Sequence, residues 1–327
     1  IGIDKTGKWI FEANNAGSNF ILNSDNPKLI KLNSQGDPVA LIPHSTGKIY
    51  NLFDARKYYN IDVVFPILHG PFGEDGTVQG LLKLADIPFV GTSVLGSAVG
   101  MDKDVMKRLL KESGIPIGKY IVLKSEDQVP AYADVIKKIG SPCFVKPANM
   151  GSSVGVEKIH NEDEYTQFVQ AAFQYDTKII LEEFIKGREI ECSVLGNSKP
   201  IASLPGEIKS SHEFYSYSAK YLDENGAVLE IPAKLDAKTT EQIQTLAVKT
   251  FVSLYAEGLS RIDFFLQDSG KVIVNEINTM PGFTKISMYP KLWEASGISY
   301  AQLIDRLIEL AFERYKKESC IKTSFFA

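Results

Sequence analysis

Hydrophobic residues recur along this chain with periods that predict both strands and helices. Residues 61–69 form one continuous apolar run, IDVVFPILH, before a glycine-rich loop, which is typical of a buried parallel strand that leads into a loop and a helix. Residues 102–113 place apolar side chains at helical spacing and are followed by Gly114, a common stop signal. From Arg188 to Val194 polar and apolar residues alternate, which predicts a half-buried strand.

The same criteria complete the set of elements and indicate how they group. They predict strands at 117–123, 142–147 and 178–183, and helices at 162–173, 238–255 and 299–317. The first residues, IGIDKTGKWIF, predict two short strands around a turn from Lys5 to Lys8. They lack a Met and resemble the middle of a domain, so we expect a further segment before them. The part up to about residue 91 has the pattern of an open α/β domain.

Composition and charge narrow the classes of partner. The chain has 327 residues, of which 44% are hydrophobic and 23% are charged, as is typical of a protein with two or three globular domains. Its formal net charge of -4 argues against attraction to nucleic acid or to an anionic membrane. Any bound anion must therefore be held by a local cluster of lysines and arginines. The sequence contains no run of eighteen apolar residues and no signal peptide pattern.

The cysteines indicate a reducing compartment. Cys143, Cys192 and Cys320 are odd in number and widely spaced, which suits neither a disulfide framework nor a zinc site. Cys143 and Cys192 lie in apolar runs, where cysteine usually acts as a small buried hydrophobe. These features favour a cytoplasmic protein.

The stretch FVKPANMGSSVGV combines a lysine with a flexible loop. Lys146 lies at the end of an apolar strand, before Gly151, and the apolar run resumes at Val154. A Walker A loop has its lysine after the glycines, at the start of a helix, and no G-x-G-x-x-G follows a strand here. Two interpretations remain equally open. The stretch is either a hairpin flap whose backbone N–H groups cover phosphates above the lysine, or a plain hairpin turn with an exposed lysine.

A second hairpin carries acidic residues, in the stretch SRIDFFLQDSGKVIVNEINTMPG. If residues 269–270 form a two-residue turn, Asp263 lies opposite Glu276. Arg261 then lies opposite Asn278, and all four side chains project from the same side of the ribbon. Because opposed carboxylates destabilise a sheet unless a cation lies between them, the pattern predicts a Mg²⁺ site that substrate phosphates complete, with Arg261 beside it to stabilise a reacting anion. The alternative is a solvated sheet face with incidental charges.

Two further stretches and one histidine carry weaker chemical signals. In ILEEFIKGREIEC, Glu182 and Glu183 precede a crossing between domains, where backbone groups suit a purine edge and Glu189 suits ribose hydroxyls. Taken alone, an exposed acidic linker is the favoured interpretation there. HEFYSYSAKY is either a lid that closes over a charged substrate and excludes water, or a strand with tyrosines on one face. His69, at the end of a predicted strand, is by itself most simply a structural histidine.

Six motifs occur in order between residues 1 and 316: LHGPFGEDGTVQG, MDKDVMKRLL, FVKPANMGSSVGV, GREIECSVLG, FYSYSAKY, and RIDFF with VNEINTMPGFTKISMYPKLW. Together they resemble the D-alanine–D-alanine ligases of the ATP-grasp superfamily, and most closely those that make the plain dipeptide. The resemblance implies an α/β fold of the α+β ATP-grasp type with ATP between the central and C-terminal subdomains. The implied divisions are an N-terminal domain at 1–91, a central subdomain at 92–186, a C-terminal subdomain at 187–318 and a tail at 319–327.

The resemblance also implies roles for individual residues, carried over where the motifs match. The residues expected to bind ATP are Lys103, Lys146, Gly151, Ser152, Ser153, Val154, Glu182, Glu183, Phe184, Ile185, Glu189, Lys220, Asn275 and Glu276. Those expected to take part in catalysis are Ser152, Lys220, Tyr221, Arg261 and Gly282. Those expected to bind the two D-alanines are His69, Arg261, Gly282, Ser287 and Met288. Two Mg²⁺ ions, for which Mn²⁺ can substitute, are expected at Asp263, Glu276 and Asn278.

The implied reaction has two steps. The carboxylate of the first D-alanine attacks the γ-phosphate of ATP, which Lys220 contacts, and gives an acyl phosphate and ADP. The amine of the second D-alanine, whose carboxylate Ser287 holds, then attacks the acyl carbon, with Arg261 and the Gly282 N–H as the oxyanion hole. A tyrosine-rich lid, hydrogen-bonded through Tyr221 to the flap, suits this chemistry because water would hydrolyse the acyl phosphate. The family also implies a homodimer.

One departure from the family pattern and three rival functions accompany this interpretation. Family members hold the ammonium of the first D-alanine with a glutamate in a segment that would precede residue 1, so this residue cannot be assigned in the present sequence. A D-alanine–D-lactate ligase is disfavoured by Tyr221, and other ATP-grasp ligases by the motifs PGFTKIS and LHGPFGEDG. A nucleotide-binding protein without catalysis is disfavoured because Arg261, Asp263 and Glu276 are all present.

Overall fold

The computed structural model describes residues 1–4, 6–11, 36–210, 227–284, 287–322 and 324. Within these residues the chain forms three sheets and eight helices. The mixture of helices with mainly antiparallel sheets agrees with the expected α/β class. Residues 211–226, which contain the predicted lid with Lys220 and Tyr221, lie outside the described residues.

The first sheet has five antiparallel strands in chain order. They are β1 (Gly2–Ile3), β2 (Trp9–Phe11), β3 (Asp37–Leu41), β4 (Lys48–Asn51) and β5 (Tyr58–Asn60). Strands β1 and β2 pair as the sequence predicted. The strand predicted at 61–69 is wrong, because this run has a single parallel bridge, from Val64 to Phe89. Pro66 interrupts the run because proline has no N–H to donate to a neighbouring strand.

The second sheet is four-stranded and carries the predicted flap. Its strands are β6 (Tyr120–Lys124), β7 (Cys143–Pro147), β8 (Glu157–Ile159) and β9 (Lys178–Glu183), in the order β6-β9-β7-β8. Helices α4 (Tyr132–Ile139) and α5 (Glu162–Ala172) cover one face, against a core that includes Val145 and Leu181. Burial alternates along β7, so Phe144 and Lys146 point away from this core. The sequence prediction for β9 is confirmed to the residue, whereas β6 begins at Tyr120 rather than at residue 117.

The third sheet has six strands in the order β13-β12-β10-β14-β15, with β11 paired to β10. Its strands are β10 (Arg188–Gly196), β11 (Ile201–Ala202), β12 (Gly206–Ser210), β13 (Ala227–Glu230), β14 (Gly258–Leu266) and β15 (Val272–Asn278). The other helices are α1 (Thr77–Leu84), α2 (Val94–Met101), α3 (Lys103–Glu112), α6 (Ala237–Ser253), α7 (Met288–Ala295) and α8 (Tyr300–Ser319). Ile117, three residues before β6, forms an isolated parallel bridge with Val274 of β15. The predictions of α3, α6 and α8 are confirmed within two residues at each end.

Helix starts follow local rules of capping. Asp102 accepts the N–H groups of Asp104 and Val105 at the start of α3, and Asn161 accepts that of Glu164 at α5. Such caps satisfy backbone donors that have no partner within the helix. Because Asp102 fixes the first turn of α3, it also fixes the position of Lys103, the first residue of that helix.

A buried arginine joins the last helix to the N-terminal region. Arg314 of α8 is 5% exposed and donates to the carbonyl oxygens of Phe89, at 2.6 Å, and of Gly91. Its guanidinium also lies 4.2 Å from the Phe89 ring centroid, as in a cation–π contact. One side chain therefore satisfies two backbone acceptors more than 220 residues away in sequence.

The cysteines and helices agree with the composition. Cys143 and Cys192 are free and buried, and burial raises the pKa of the two thiols to about 11 and about 12. Cys320 is free and exposed. In the described part of the chain no helix has both the length and the apolar character needed to cross a bilayer.

Candidate active site

A cleft between the second and third sheets contains most of the residues expected to bind ATP. Its cavity has a volume of about 230 Å³. The predicted residues that line it are Lys103, Lys146, Gly151, Ser152, Ser153, Glu182, Glu183, Phe184, Ile185, Glu189, Asp263, Asn275 and Glu276. Val154 is absent from the lining, where Val156 takes part instead. Side chains up to 173 residues apart in sequence therefore meet in one cavity, as the motifs predicted.

One end of the cavity is an aromatic slot. The rings of Phe144 and Phe184 lie 6.2 Å apart, and the ammonium of Lys158 lies 4.2 Å from the Phe184 ring centroid. Phe184 is 38% exposed, which is unusual for a large apolar side chain and leaves its ring available. The neighbouring Glu183 is fixed, because its Oε1 accepts the Lys119 N–H at 2.7 Å. A slot with two aromatic rings beside strand-end backbone suits a planar heterocycle.

Beside this slot lies a group that we call the basic triad, consisting of Lys107, Glu182 and Lys146. One carboxylate oxygen of Glu182 is 2.5 Å from the Lys107 ammonium, and the other is 2.5 Å from the Lys146 ammonium. Burial alone raises the pKa of Glu182, but the two lysines outweigh it and lower this pKa to about 2. The sequence suggested that Glu182 holds adenine or ribose; the structure gives its carboxylate two lysine partners, and Lys107 was not anticipated.

The predicted flap is a turn between β7 and β8, and it holds an unusual backbone conformation. Ser152 and Ser153 both have positive φ, at 53° and 60°. Residues other than glycine carry backbone strain in the left-handed region. Turn conformations with successive N–H groups can direct these groups into a concavity that suits anions. At the base of the flap, Lys103 donates to the Met150 carbonyl at 2.6 Å, and Asn149 donates through its backbone and its side chain to Asp176. The interpretation as an exposed plain turn is wrong for Lys146, which faces the cavity.

Opposite the flap lies the acidic triad, consisting of Glu191, Arg261 and Asp263. Both oxygens of Asp263 accept from the Arg261 guanidinium at 2.7 Å, and Glu191 lies 3.0 Å from the same guanidinium. Burial by itself lowers the pKa of Arg261, but the two carboxylates outweigh it and raise this pKa well above its usual range. In this arrangement Arg261 provides part of the positive charge that the opposed carboxylates require.

The register of the acidic hairpin agrees with the prediction, but for a different reason. Asp263 pairs with Glu276, and Arg261 with Asn278. The two-residue turn predicted at 269–270 is wrong, because the connection is a three-residue loop in which Gly270 has a φ of 80°. A β-bulge between Asp263 and the next residue inserts one extra position in β15 and restores the expected pairing at the site.

The donor set on this hairpin fits a hard divalent cation. Asp263 and Glu276 are cross-strand neighbours that both line the cavity, and Asn278 lies two positions beyond Glu276 on the same face. The Asn278 Oδ1 accepts the Met280 N–H at 3.2 Å, so its side chain has a fixed orientation. Among the described residues no three acidic, histidine or cysteine side chains form a metal-binding group. The expected ligands, two carboxylates and one amide oxygen, are a different set and suit Mg²⁺ completed by phosphate oxygens.

The residues expected to bind amino acids lie in two places near this hairpin. His69 is close to Arg261, and its ring hydrogen-bonds the Met280 backbone; burial and the arginine charge lower its pKa. Gly282 and Ser287 adjoin each other, because a Cβ on Gly282 would lie 2.9 Å from the Ser287 hydroxyl. Met288 directs its side chain into an apolar cluster, so only its backbone, in the first turn of α7, is left to contact a ligand.

One carboxyl group near the site was missed by the sequence reasoning. Glu74, in LHGPFGEDG, is 9% exposed, and its Oε2 accepts the Gly70 N–H at 2.5 Å. Burial raises the pKa of Glu74 to about 7, with a further rise from Glu276. The same oxygen lies 3.5 Å from where a Cβ of Gly151 would be, so Glu74 adjoins the flap. A charged residue between two glycines of a loop in a recognised motif was the available signal.

Comparison with known proteins gives one consistent family. Residues 109–309 match the sequence profile described as D-ala D-ala ligase C-terminus, and residues 1–92 match D-ala D-ala ligase N-terminus. A D-alanine–D-alanine ligase from Oceanobacillus iheyensis is 51% identical over 326 residues, which cover 99% of this chain and 88% of that protein.

Solved structures agree with the sequence comparison. The D-alanine–D-alanine ligase from Coxiella burnetii has a TM-score of 0.82 at 37% identity, covering 97% of this chain and 84% of that one. The VanG D-Ala:D-Ser ligase from Enterococcus faecalis has a TM-score of 0.83 at 35% identity, covering 95% and 88%. The D-alanine–D-alanine ligase from Bacillus anthracis complexed with ATP has a TM-score of 0.68 at 32% identity, covering 79% and 81%.

Proposed function

This chain belongs to the D-alanine–D-alanine ligase family, with the ATP-grasp fold of that family, and we propose that it uses ATP to join two D-alanines into D-alanyl-D-alanine for peptidoglycan synthesis. The observation that carries the proposal is the cleft, where a lysine-rich wall and a carboxylate-rich wall face one cavity. The negative charge of a triphosphate matches the lysine-rich wall, and the positive charge of its divalent cations matches the carboxylate-rich wall.

ATP is assigned to the cavity between the second and third sheets. We assign adenine to the slot beside Phe184 and Ile185, and the ribose hydroxyls to Glu189, since all three residues line the cavity. Lys103 and Lys146 lie at the phosphate end beneath the flap, whose N–H groups suit phosphate oxygens. The assignment of Lys220 to the transferred phosphate, and of Tyr221 to Ser152, remains part of the proposal.

Asp263, Glu276 and Asn278 are assigned as ligands of two Mg²⁺ ions, with Mn²⁺ as a substitute. When bound, these ions would supply positive charge at the transferred phosphate. On this assignment Arg261 gives up part of its contact with Asp263 and interacts with the reacting acyl group instead. The change is chemically reasonable because Arg261 remains charged throughout and also lies 3.0 Å from Glu191.

The chain's own groups would promote both steps of the reaction by positioning and charge. In the first step the carboxylate of one D-alanine attacks the γ-phosphate of ATP, the bond from the γ-phosphorus to the bridging oxygen breaks, and ADP departs, which gives an acyl phosphate. The lysines favour the charge that develops on the phosphoryl oxygens. In the second step the amine of the other D-alanine attacks the acyl phosphate carbon, and phosphate leaves. In this proposal Arg261 and the Gly282 N–H stabilise the tetrahedral oxyanion, and Ser287, which adjoins Gly282, binds the second carboxylate.

The identity of the second substrate has two alternatives. A D-alanine–D-lactate ligase remains disfavoured by the tyrosine at position 221. A D-Ala:D-Ser ligase deserves a direct test, because one of the structural neighbours has that name. Our proposal also includes the domain limits 1–91, 92–186 and 187–318, a homodimer, a cytoplasmic location, and no nucleic acid or membrane partner.

The test is phosphate release from ATP and Mg²⁺, with products identified by mass. The amino-acid sets are D-alanine, L-alanine, D-alanine with D-serine, and D-alanine with D-lactate. We expect release with D-alanine alone and a product of the mass of D-alanyl-D-alanine. A mixed product in preference to the D-alanine dipeptide would reassign the second substrate, and no release with any set would refute the ligase activity.

A further inference from the structure

Lys107 is a buried lysine in the cavity wall to which the sequence motifs assigned no role. It lies in α3, one turn after Lys103, so both side chains are on the same face of the helix. Lys107 is 2% exposed and lines the cavity. Lysine is rarely buried to this extent unless a partner compensates its charge, and here the partner is Glu182, at 2.5 Å.

Glu182 is shared between two lysines rather than paired with one. Its Oε1 faces Lys107 and its Oε2 faces Lys146, at the same distance of 2.5 Å. Two ammonium groups and one carboxylate leave one net positive charge in this part of the wall. A pair made of Glu182 and Lys146 alone would have no net charge, and Lys146 would be the only partner of a buried carboxylate.

We propose that Lys107 is a positioning residue for a nucleoside triphosphate. By holding one oxygen of Glu182, Lys107 prevents this carboxylate from neutralising Lys146, and Lys146 keeps its charge available for the polyphosphate. The inference rests on the proposed function, because it takes the ligand of this cavity to be ATP. The surroundings of Lys107 support this role. Its ammonium is 2.5 Å from the Glu182 carboxylate, whereas its distance to the centroid of the Tyr120 ring is 5.9 Å.

The first test is Lys107→Met, which removes the charge and keeps the length of the side chain. We expect the Kd for ADP and the KM for ATP to rise about tenfold, the effect of one lost favourable interaction of a charge with phosphate. The KM for D-alanine should stay within about threefold of wild type. Adenosine has no phosphate, so its affinity should not change. A loss of adenosine affinity equal to that of ADP would overturn the proposal, because it would indicate a distorted pocket.

The second test is coupling between Lys107 and Glu182. In a Glu182→Gln background the carboxylate that contacts Lys146 directly is gone, so adding Lys107→Met should change the Kd for ADP by less than about threefold. The comparison is between Glu182→Gln and the double variant, so any effect of Glu182→Gln itself on ADP binding cancels. A purely structural role for Lys107 predicts instead that Lys107→Met causes the same loss of about tenfold in both backgrounds, and that result would overturn the proposal.

Lys111→Met is the matched control, since Lys111 lies one turn beyond Lys107 on α3 and is exposed. It should leave ADP affinity unchanged, and a similar loss in this variant would overturn the specific role of Lys107. Binding of ADP and adenosine requires no amino acid. If the wild-type protein forms no dipeptide, the proposed ligase activity is refuted. The binding results still test whether Lys107 positions the nucleotide.

Discussion

The two triads that face each other across the cleft have the same plan with opposite charge. In the basic triad one carboxylate, Glu182, lies between two lysines; in the acidic triad one guanidinium, Arg261, lies between two carboxylates. Glu182 is buried and Arg261 is partly buried, and each contacts both of its partners directly. One wall therefore has an excess of positive charge and the other an excess of negative charge, although the whole chain carries a net charge of only -4.

This difference shows how a nearly neutral protein can bind a highly charged ligand. Within each triad the central group offsets part of the cost of placing like charges side by side. The remaining charge on each wall matches one component of a metal–nucleotide complex, phosphate on one side and cations on the other. On this interpretation selectivity for a metal–nucleotide complex requires both walls. Substitutions in one triad can therefore be compared with substitutions in the other.

The largest expected effect is on the acidic side. Glu276→Gln keeps the shape of the side chain and removes a proposed metal ligand, so ATP turnover should fall by about 10³-fold or more. Phosphate release measures the rate, and an unchanged far-UV circular dichroism spectrum and melting temperature confirm the fold. Turnover near the wild-type rate would remove Glu276 from the metal site.

The second effect tests the role of Arg261 in compensating the carboxylates. Arg261→Met leaves Asp263 and Glu191 without their common partner, and should lower the free energy of unfolding by about 4 kcal/mol in the absence of metal. Because Mg²⁺ would bind between carboxylates that now lack a cation, it should raise the melting temperature of this variant more than that of wild type. Equal shifts in the two proteins would contradict the proposed cation site.

A smaller effect, which depends on pH, is expected at Glu74, next to the acidic wall. Its pKa is raised from 4.5 to about 7 in the folded protein, so the folded state keeps a proton that the unfolded chain has lost. The stability that this group contributes is complete below pH 4.5 and is lost as the pH rises through 7. Wild type should therefore lose about 3 kcal/mol relative to Glu74→Gln between these limits, as measured by urea unfolding at several pH values.

Asp75→Asn is the control for this measurement. Burial raises the pKa of Asp75, but hydrogen bonds from the Phe72 and Thr77 N–H groups outweigh it, and the pKa is lowered from its usual 3.8. The contribution of Asp75 is therefore lost only as the pH falls through its lowered pKa, and no loss relative to Asp75→Asn should occur between pH 4.5 and about pH 8. A parallel slope for both variants would show that the effect is not specific to Glu74.

The smallest effect is expected at a surface copy of the basic triad. Glu230 lies 2.9 Å from Lys209 and 2.8 Å from Lys234, the same composition as the buried triad. Both lysines are exposed, so solvent screens their interaction with the carboxylate. Lys209→Met should leave the melting temperature and the ADP affinity at their wild-type values. A loss of ADP affinity here like that expected for Lys107→Met would mean that burial is not what distinguishes the two triads.

The parts of the molecule that sequence predicted well are those controlled by local pattern. The pairing of Asp263 with Glu276 is an exception, because its prediction assumed a two-residue turn at 269–270 where the structure has a three-residue loop and a β-bulge. Two compensating shifts, one at the loop and one at the bulge, cancel at the site. The length and limits of β9 and α5 followed from local periodicity and capping.

What the sequence did not predict depends on residues far apart in the chain. In the sequence Lys107 occupies an ordinary polar position of an amphipathic helix. Its burial depends on the ion pair with Glu182, which lies 75 residues later in the chain. The run at 61–69 is apolar enough for a central strand, but strand pairing requires a neighbouring backbone, and within this run only Val64 forms a β-bridge. Hydrophobicity also overstated the burial of the segment, where Ile67 is 54% exposed.

The contact of Arg314 with the carbonyl oxygens of Phe89 and Gly91 has a consequence for the order of events during synthesis. A chain that leaves the ribosome N-terminus first exposes these two acceptors long before α8 is made. The N-terminal region consequently completes its packing only after residue 314 has emerged. Contacts of such long sequence separation slow folding, so the final step for this part of the molecule is controlled by the time needed to make the rest.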